Sequence, residues 1–429
     1  MKLGIVVQRY GADINGGAEL HARYVAEHLA RHHQVEVLTT CARDYVTWAN
    51  ELPTGREDVR GIAVHRFPVA HVRSARTFGL RSQQVFNEVH SLQDELAWLD
   101  SEGPASPALV RHLERHRAEF DYFIFFSYRY YHSYHGIRRV ADRAVLVPTA
   151  ERDQAVGLAL FPPILRGARA IMFNSLEEER MLRHVAGGDA TSSVVVGIGS
   201  DVPDQPRPER FRQRFGIDVP FVVYIGRIDE NKGCTELFDF FQRYARVVPP
   251  RLDLVLIGNS ILPIPDHPRI HHLGFLADED KFDALAAADA LIMPSYFESL
   301  SMVALEAWAL GRPVLANGRC DVLKGQSIRS NAGLYYGNFP EFAEALRAIV
   351  SSESLKRALG QNGRSYFRQH YAWPVIERKY LDMLERLRRE APAGRSVEPL
   401  PGFFARRRRV LPPAADVLAS VPAGAVSGA

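Results

Sequence analysis

Residues 294–317 read PSYFESLSMVALEAWALGRPVLAN, and the order of elements they imply decides the fold. A largely apolar run, Ala288–Met293, precedes them and reads as a buried strand. After a short loop, an apolar helix is expected from about Ser301 to Leu310, closed by Gly311. Arg312-Pro313 then leads into a second strand at Val314–Ala316. Strand, loop, helix, glycine and strand make one turn of a doubly wound α/β sheet. Two carboxylates stand in that turn with seven residues between them. Glu298 falls in the loop at the strand's carboxyl end, and Glu306 more than a turn inside the apolar helix, where a charged side chain needs a partner. Alone, the pair reads equally well as scaffold, with Glu298 favouring the helix dipole and Glu306 an ordinary helix acid.

The same β-α rhythm continues on both sides. A strand at Phe221–Ile225 runs into GRIDENKG (226–233) and a helix over Cys234–Val247. Gly226 ends the strand, and Arg227 and Lys232 stand five residues apart over the start of that helix. There they are placed to hold a diphosphate; a solvated loop paired to Asp229 or Glu230 is the bland alternative. Further strands are expected at Leu252–Ile257, Arg269–Leu273 and near Gly333–Tyr336, with helices at Asp278–Ala287, Phe339–Val350, Leu355–His370 and Trp373–Arg389. The acids Asp278–Asp280 open a helix, where the dipole favours them, so no metal grip is assigned.

Before Gly197–Arg210, a Pro- and Gly-rich stretch that reads as a domain boundary, lies another set of β-α units. Strands are expected at Lys2–Val7, Gln34–Thr39, Gly61–Phe67, Asp121–Phe126, Ala144–Val147, Ala170–Phe173 and Ser193–Val196. Thr77–Asp100 and Pro107–Phe120 read as long helical patterns. Asn15-Gly16-Gly17 lies between the first strand and first helix, where amides can hold a phosphate or its sugar, though a plain tight turn fits as well. The dinucleotide fingerprint G-x-G-x-x-G is absent, which argues against a nicotinamide oxidoreductase. After Phe126, SYRYYHSYHG offers Tyr128 and His132, among others, either as a sugar-stacking patch or as a packed helix start. Glu151, Arg152 and Asp153 stand at a strand's carboxyl end, as ligand groups or as a surface turn. Ser175 and Glu178 fit a capping box.

With 429 residues, 24% charged and a net charge of only +3, the chain suits two or three domains and shows no bias toward nucleic acid. Three scattered cysteines suit a reducing compartment, and no run approaches a signal peptide or a membrane span, so a soluble cytoplasmic protein is expected. Residues 391–429 read as a disordered tail. Within it, GFFARRRRV (402–410) suits peripheral contact with an anionic membrane, or plain solvation.

Together these motifs resemble glycosyltransferase family 4, retaining enzymes with the GT-B fold. The resemblance rests on Glu298-x7-Glu306 in its setting, Gly226-Arg227 with Lys232-Gly233, Gly16-Gly17-Ala18-Glu19, and YAWPVIERKYLDML (371–384). It implies two Rossmann-like doubly wound domains facing a cleft. These are an acceptor domain over 1–200 and a donor domain over 201–372, with helix 373–389 crossing back to the first. It implies catalysis without a metal or resident cofactor, a UDP- or GDP-sugar as donor, and a glycan or lipid-linked glycan as acceptor at the inner face of the membrane. Arg227 and Lys232 are then expected on the diphosphate, Glu298 on the transferred sugar and Glu306 on the ribose. Gly16, Gly17, Gly226 and the amides of Ser299, Leu300 and Ser301 would contact the donor. The acceptor side departs from the family, which often places a His at a first-domain strand end; here Tyr128, His132, Glu151 and Asp153 are the candidates. The family's Gly-Phe-Gly is Ser299-Leu300-Ser301, a bulkier loop expected to narrow the donor pocket. A GT-B sugar-nucleotide epimerase and a non-catalytic nucleotide-binding scaffold are the alternatives.

Overall fold

The computed structural model describes residues 1–14, 16–188, 191–247, 251–390, 394–399 and 414–419. The first sheet grows from β1 (Lys2–Val6), which runs into α1 (Gly17–Leu29) and returns as β2 (Gln34–Thr40). A hairpin of β3 (Gly55–Val59) and β4 (Ile62–Phe67) extends that side, followed by α2 (Ala75–Asn87), α3 (Leu92–Glu102) and α4 (Pro107–Arg115). The chain then adds β5 (Tyr122–Phe126), α5 (Tyr131–Val140), β6 (Ala144–Val147), α6 (Phe161–Gly167), β7 (Ala170–Phe173), α7 (Leu176–Ala186) and β8 (Ser192–Val195). The strand order is β3-β4-β2-β1-β5-β6-β7-β8, parallel except for β3 against β4.

The second sheet follows α8 (Pro208–Phe215). Its elements are β9 (Phe221–Ile225), α9 (Cys234–Val247), β10 (Asp253–Ile257), β11 (Ile270–His272), α10 (Asp278–Ala287), β12 (Ala290–Met293), α11 (Met302–Ala309), β13 (Val314–Asn317), α12 (Asp321–Ser330) and β14 (Gly333–Tyr336). Helices α13 (Phe339–Ser351), α14 (Glu353–His370) and α15 (Trp373–Arg389) follow the second sheet, and a short helix α16 lies at Ala414–Ala419. All strands here are parallel, in the order β11-β10-β9-β12-β13-β14. β5 and β9 are buried along their whole length, which is why they read as unbroken apolar runs. In each sheet the winding reverses, between β1 and β5 and between β9 and β12, and ligands of open α/β sheets bind at the carboxyl ends beside such points.

α15 leaves the second sheet and packs on α1. The Trp373 ring stacks on His28 with centroids 3.7 Å apart, and Glu377 accepts from His28 at 3.1 Å and His32 at 2.5 Å. The linker slips beneath this corner because it is glycine there: a Cβ on Gly199 would lie 2.6 Å from Trp373, and one on Gly197 2.8 Å from Tyr371.

Several expectations need correction. The pattern over Thr77–Asp100 is two helices, because Ser91 and Asp94 form a capping box that starts α3 afresh. α8, α12 and the edge strand β3 are additional; α8 starts on a proline inside what reads as linker. Part of the tail expected to be disordered is packed. Val397 is buried over Gly167, whose missing side chain leaves room for it, and Glu398 pairs with Arg166 at 3.0 Å. Most of that tail, with Arg406–Arg409, lies outside the described residues, as does Asn15. Among the described residues no helix is long and apolar enough to cross a membrane.

Candidate active site

Loops from both sheets meet at the carboxyl ends of their strands. The loop after β9 is shaped by Asp229, which is buried and receives both the Arg227 side chain and, at 2.8 Å, the Lys232 amide. Gly233 then turns with φ +71°, and a Cβ there would lie 2.1 Å from the carbonyl oxygen of Pro294, so this loop and the one after β12 are in backbone contact. Gly233→Ala should push the two loops apart, lowering the melting temperature by roughly 5 °C and weakening nucleotide binding. Thermal unfolding with and without nucleotide checks this.

Lys232 Nζ donates to Glu298 Oε1 at 2.8 Å and to the Phe297 carbonyl at 3.4 Å, and lies 3.8 Å from Glu151 Oε1 of the first domain. Burial alone would lower its pKa, but the two carboxylates outweigh it and hold the ammonium above its usual range. Burial pushes the Glu151 carboxyl up to about 6, against the pull of Lys232 and with help from Glu298 and Asp153. Arg227 donates to the Tyr45 hydroxyl at 2.9 Å, so a first-domain side chain meets this cation too.

The loop after β12 enters α11 through Ser301, whose φ of +75° is rare for a residue with a side chain. Its hydroxyl caps the Ala304 amide at 3.4 Å. Leu300 is buried and part of the hydrophobic core. The leucine side chain is thus taken up by packing. Ser299 accepts from Asn174 of the first domain at 3.4 Å. Glu306 is buried; its Oε1 takes Lys281 Nζ at 3.2 Å and the Ser200 hydroxyl at 3.1 Å, while Oε2 has no partner among the described residues. Burial pushes this carboxyl up, opposed by Lys281.

Lys281 and Ser200 were not foreseen. Lys281 follows the acids Asp278–Asp280, which the structure uses in ion pairs: Asp278 with Lys281 at 3.2 Å and Asp280 with Arg214 at 2.8 Å. Among the described residues no three His, Cys, Asp or Glu side chains gather as ligands of a metal would. Arg9 was missed as well. It pairs with Glu19 at 2.6 Å and lies 5.5 Å from the Tyr45 ring. Gly16, at the N-cap of α1, has to be small for this pair, since a Cβ there would meet the Glu19 carboxylate at 2.1 Å. Gly17 opens α1, and a Cβ there would meet only open space.

On the acceptor side, Glu151 reaches Lys232 across the cleft, whereas Asp153 is taken up by Arg129 at 2.6 Å and by the Val156 amide at 3.3 Å, so the structure does not bring it to the donor loops. Tyr128 and His132 are interior. Tyr128 is buried with its hydroxyl 3.4 Å from Asp153, and His132, fully buried at the start of α5, contacts the Phe126 carbonyl at 3.2 Å. Burial pushes that imidazole down to about 4. The aromatic run therefore serves mainly as the packed start of a helix, because α5 must cover β5.

Residues 219–352 match the family model described as Glycosyl transferases group 1. The chain is 29% identical over 221 residues to a phosphatidyl-myo-inositol mannosyltransferase of Propionibacterium freudenreichii, covering 51% of this chain and 56% of that protein. The chain thus spans about half the length of this curated relative. Among solved structures, sucrose-phosphate synthase from Thermosynechococcus elongatus superposes with a TM-score of 0.66 at 18% identity, over 90% of this chain and 98% of that one. HepE from Anabaena, in complex with UDP and glucose, gives 0.63 at 18% identity over 90% and 100%. On these matches residues 219–352 are similar to the glycosyl transferases group 1, and the chain as a whole takes the GT-B fold, with two Rossmann-like parallel sheets.

Proposed function

We propose that the protein is a retaining glycosyltransferase. It moves a sugar from a nucleoside-diphosphate sugar to a glycan or lipid-linked glycan, without a metal or resident cofactor. The observation that carries this reading is Glu306: a buried carboxylate fixed on one oxygen by Lys281 and Ser200 and bare on the other. Such an oxygen calls for a hydroxyl donor, and a ribose diol supplies one. Arg227, Lys232 and the start of α11 supply positive charge where the diphosphate would leave, without proton transfer or metal. Glu298 is held by Lys232 as an acceptor for sugar hydroxyls, not as a nucleophile. Attack then comes from the face of departure, and the leaving phosphate takes the acceptor's proton. The mannosyltransferase relative, named for a phosphatidyl-inositol acceptor, supports a lipid-linked acceptor, met in the cytoplasm at the inner face of the membrane.

Incubating the purified protein with UDP- and GDP-sugars and a panel of acceptors tests the reading. Acceptor-dependent release of nucleoside diphosphate is expected, and conversion of the donor with no acceptor would mark an epimerase instead. Binding without turnover would mark a scaffold. Turnover is also expected to fall as pH drops through about 6, where Glu151 gains a proton and Lys232 loses its first-domain partner. In Glu151→Gln that limb should be missing, with the rate low throughout; a limb at the same pH in the variant assigns it to another group.

A further inference from the structure

Glu178 of α7 is buried and ties two strand ends together. Its Oε1 accepts the Ala150 amide, after β6, at 2.5 Å, and its Oε2 accepts the Asn174 amide, after β7, at 2.5 Å. A glutamate at this helix position ordinarily turns back to its own N-cap amide. Here Ser175 caps the helix, accepting the Glu178 amide at 3.1 Å, and the Glu178 carboxylate meets the Ser175 amide while also spanning to the neighbouring loop. Burial pushes that carboxyl up to about 8, and the amides of Asn174, Ala150 and Ser175 oppose the rise.

Both tethered segments cross the cleft. Glu151, next to Ala150, lies 3.8 Å from Lys232, and the Asn174 side chain donates to Ser299 at 3.4 Å. The turn after β6 is also under strain, with Thr149 at φ +48°, and it shares a 2.7 Å hydroxyl contact with Ser127, itself at φ +67°. Residues other than glycine stay in such conformations only where their surroundings impose them.

We infer that Glu178 is a positioning residue for sugar transfer, holding the turns after β6 and β7 so that Glu151 and Asn174 meet the donor loops of the other domain. This rests on the donor-site reading above. Glu178→Gln sets an amide NH2 against one of the two backbone amides. It is expected to lower kcat for transfer about tenfold or more while changing the affinity for UDP or GDP alone by less than about twofold, because Arg227, Lys281 and Glu306 lie in the other domain. Combined with Glu151→Gln, the loss should be well short of the product of the two single losses. Thr149→Gly relaxes the same turn without touching the buried carboxyl. It should reproduce the fall in kcat at an unchanged melting temperature, which keeps the inference testable if the glutamine variant does not fold. Wild-type kcat in Thr149→Gly, losses that multiply in the double variant, or a parallel loss of nucleotide affinity overturns the inference. Absence of turnover in the wild-type protein overturns the donor reading instead.

Discussion

Lys232→Ala is expected to lower transfer by about 100-fold, the scale set by removing one preorganised donor from a developing anion. Two effects act together. The leaving diphosphate loses a cation held by Asp229 through its amide and by Glu298 and Glu151 through its ammonium. The variant also leaves those two carboxylates facing the cleft without their counter-ion, which repels an incoming diphosphate. The loss should therefore appear in donor KM as well as in kcat. Steady-state rates over a range of donor concentration separate the two, and a rate within about twofold of wild type would remove Lys232 from the leaving-group site.

Glu306→Ala is expected to weaken nucleoside-diphosphate binding about 10- to 100-fold, since a hydrogen bond to a charged group contributes about 1.5–3 kcal/mol. The carboxylate is buried, so the variant also strands Lys281, which sits beside it with its ammonium held above the usual range despite burial. Ser200→Ala removes only a neutral donor from the same oxygen and should cost less. Calorimetric titration with the free diphosphate checks the order: Glu306→Ala weakest, Ser200→Ala near wild type. An unchanged affinity in Glu306→Ala contradicts a ribose contact.

Most strands could be read in advance because parallel strands covered on both faces are short apolar runs between turn residues, as in YFIFF of β5 and FVVYI of β9. The placement of Arg227, Lys232, Glu298 and Glu306 was legible for a different reason: each lies in a loop or first helix turns after a strand, and spacing along the chain reveals that. The groups that complete the site were not legible. Lys281 and Ser200 are 25 and 106 residues from Glu306, and the Glu178 carboxylate reaches an amide 28 residues away. Tyr45 meets Arg227 across 182 residues. Such contacts depend on how the two sheets face each other, which no local pattern encodes. The Ser175–Glu178 box shows the limit well. Its helix start is local and was readable, whereas the destination of its carboxylate is set by tertiary packing.

The acceptor side was misread where burial overrode chemistry. Tyr128 and His132 carry groups suited to binding, but α5 has to cover β5, so both turn inward. Leu300 behaves in the same way in the donor loop. Apolar packing decides the direction of each of these side chains before any ligand is considered.

The most direct test of the account is calorimetric titration of the purified protein with UDP, GDP and their sugar conjugates, run alongside Lys232→Ala and Glu306→Ala. The account predicts that one nucleoside diphosphate binds the wild-type protein at a single site, more weakly to both variants, and that its sugar conjugate is consumed with release of that diphosphate only when an acceptor is supplied. Equal binding by wild type and both variants, or no binding of any of these nucleotides, would contradict it.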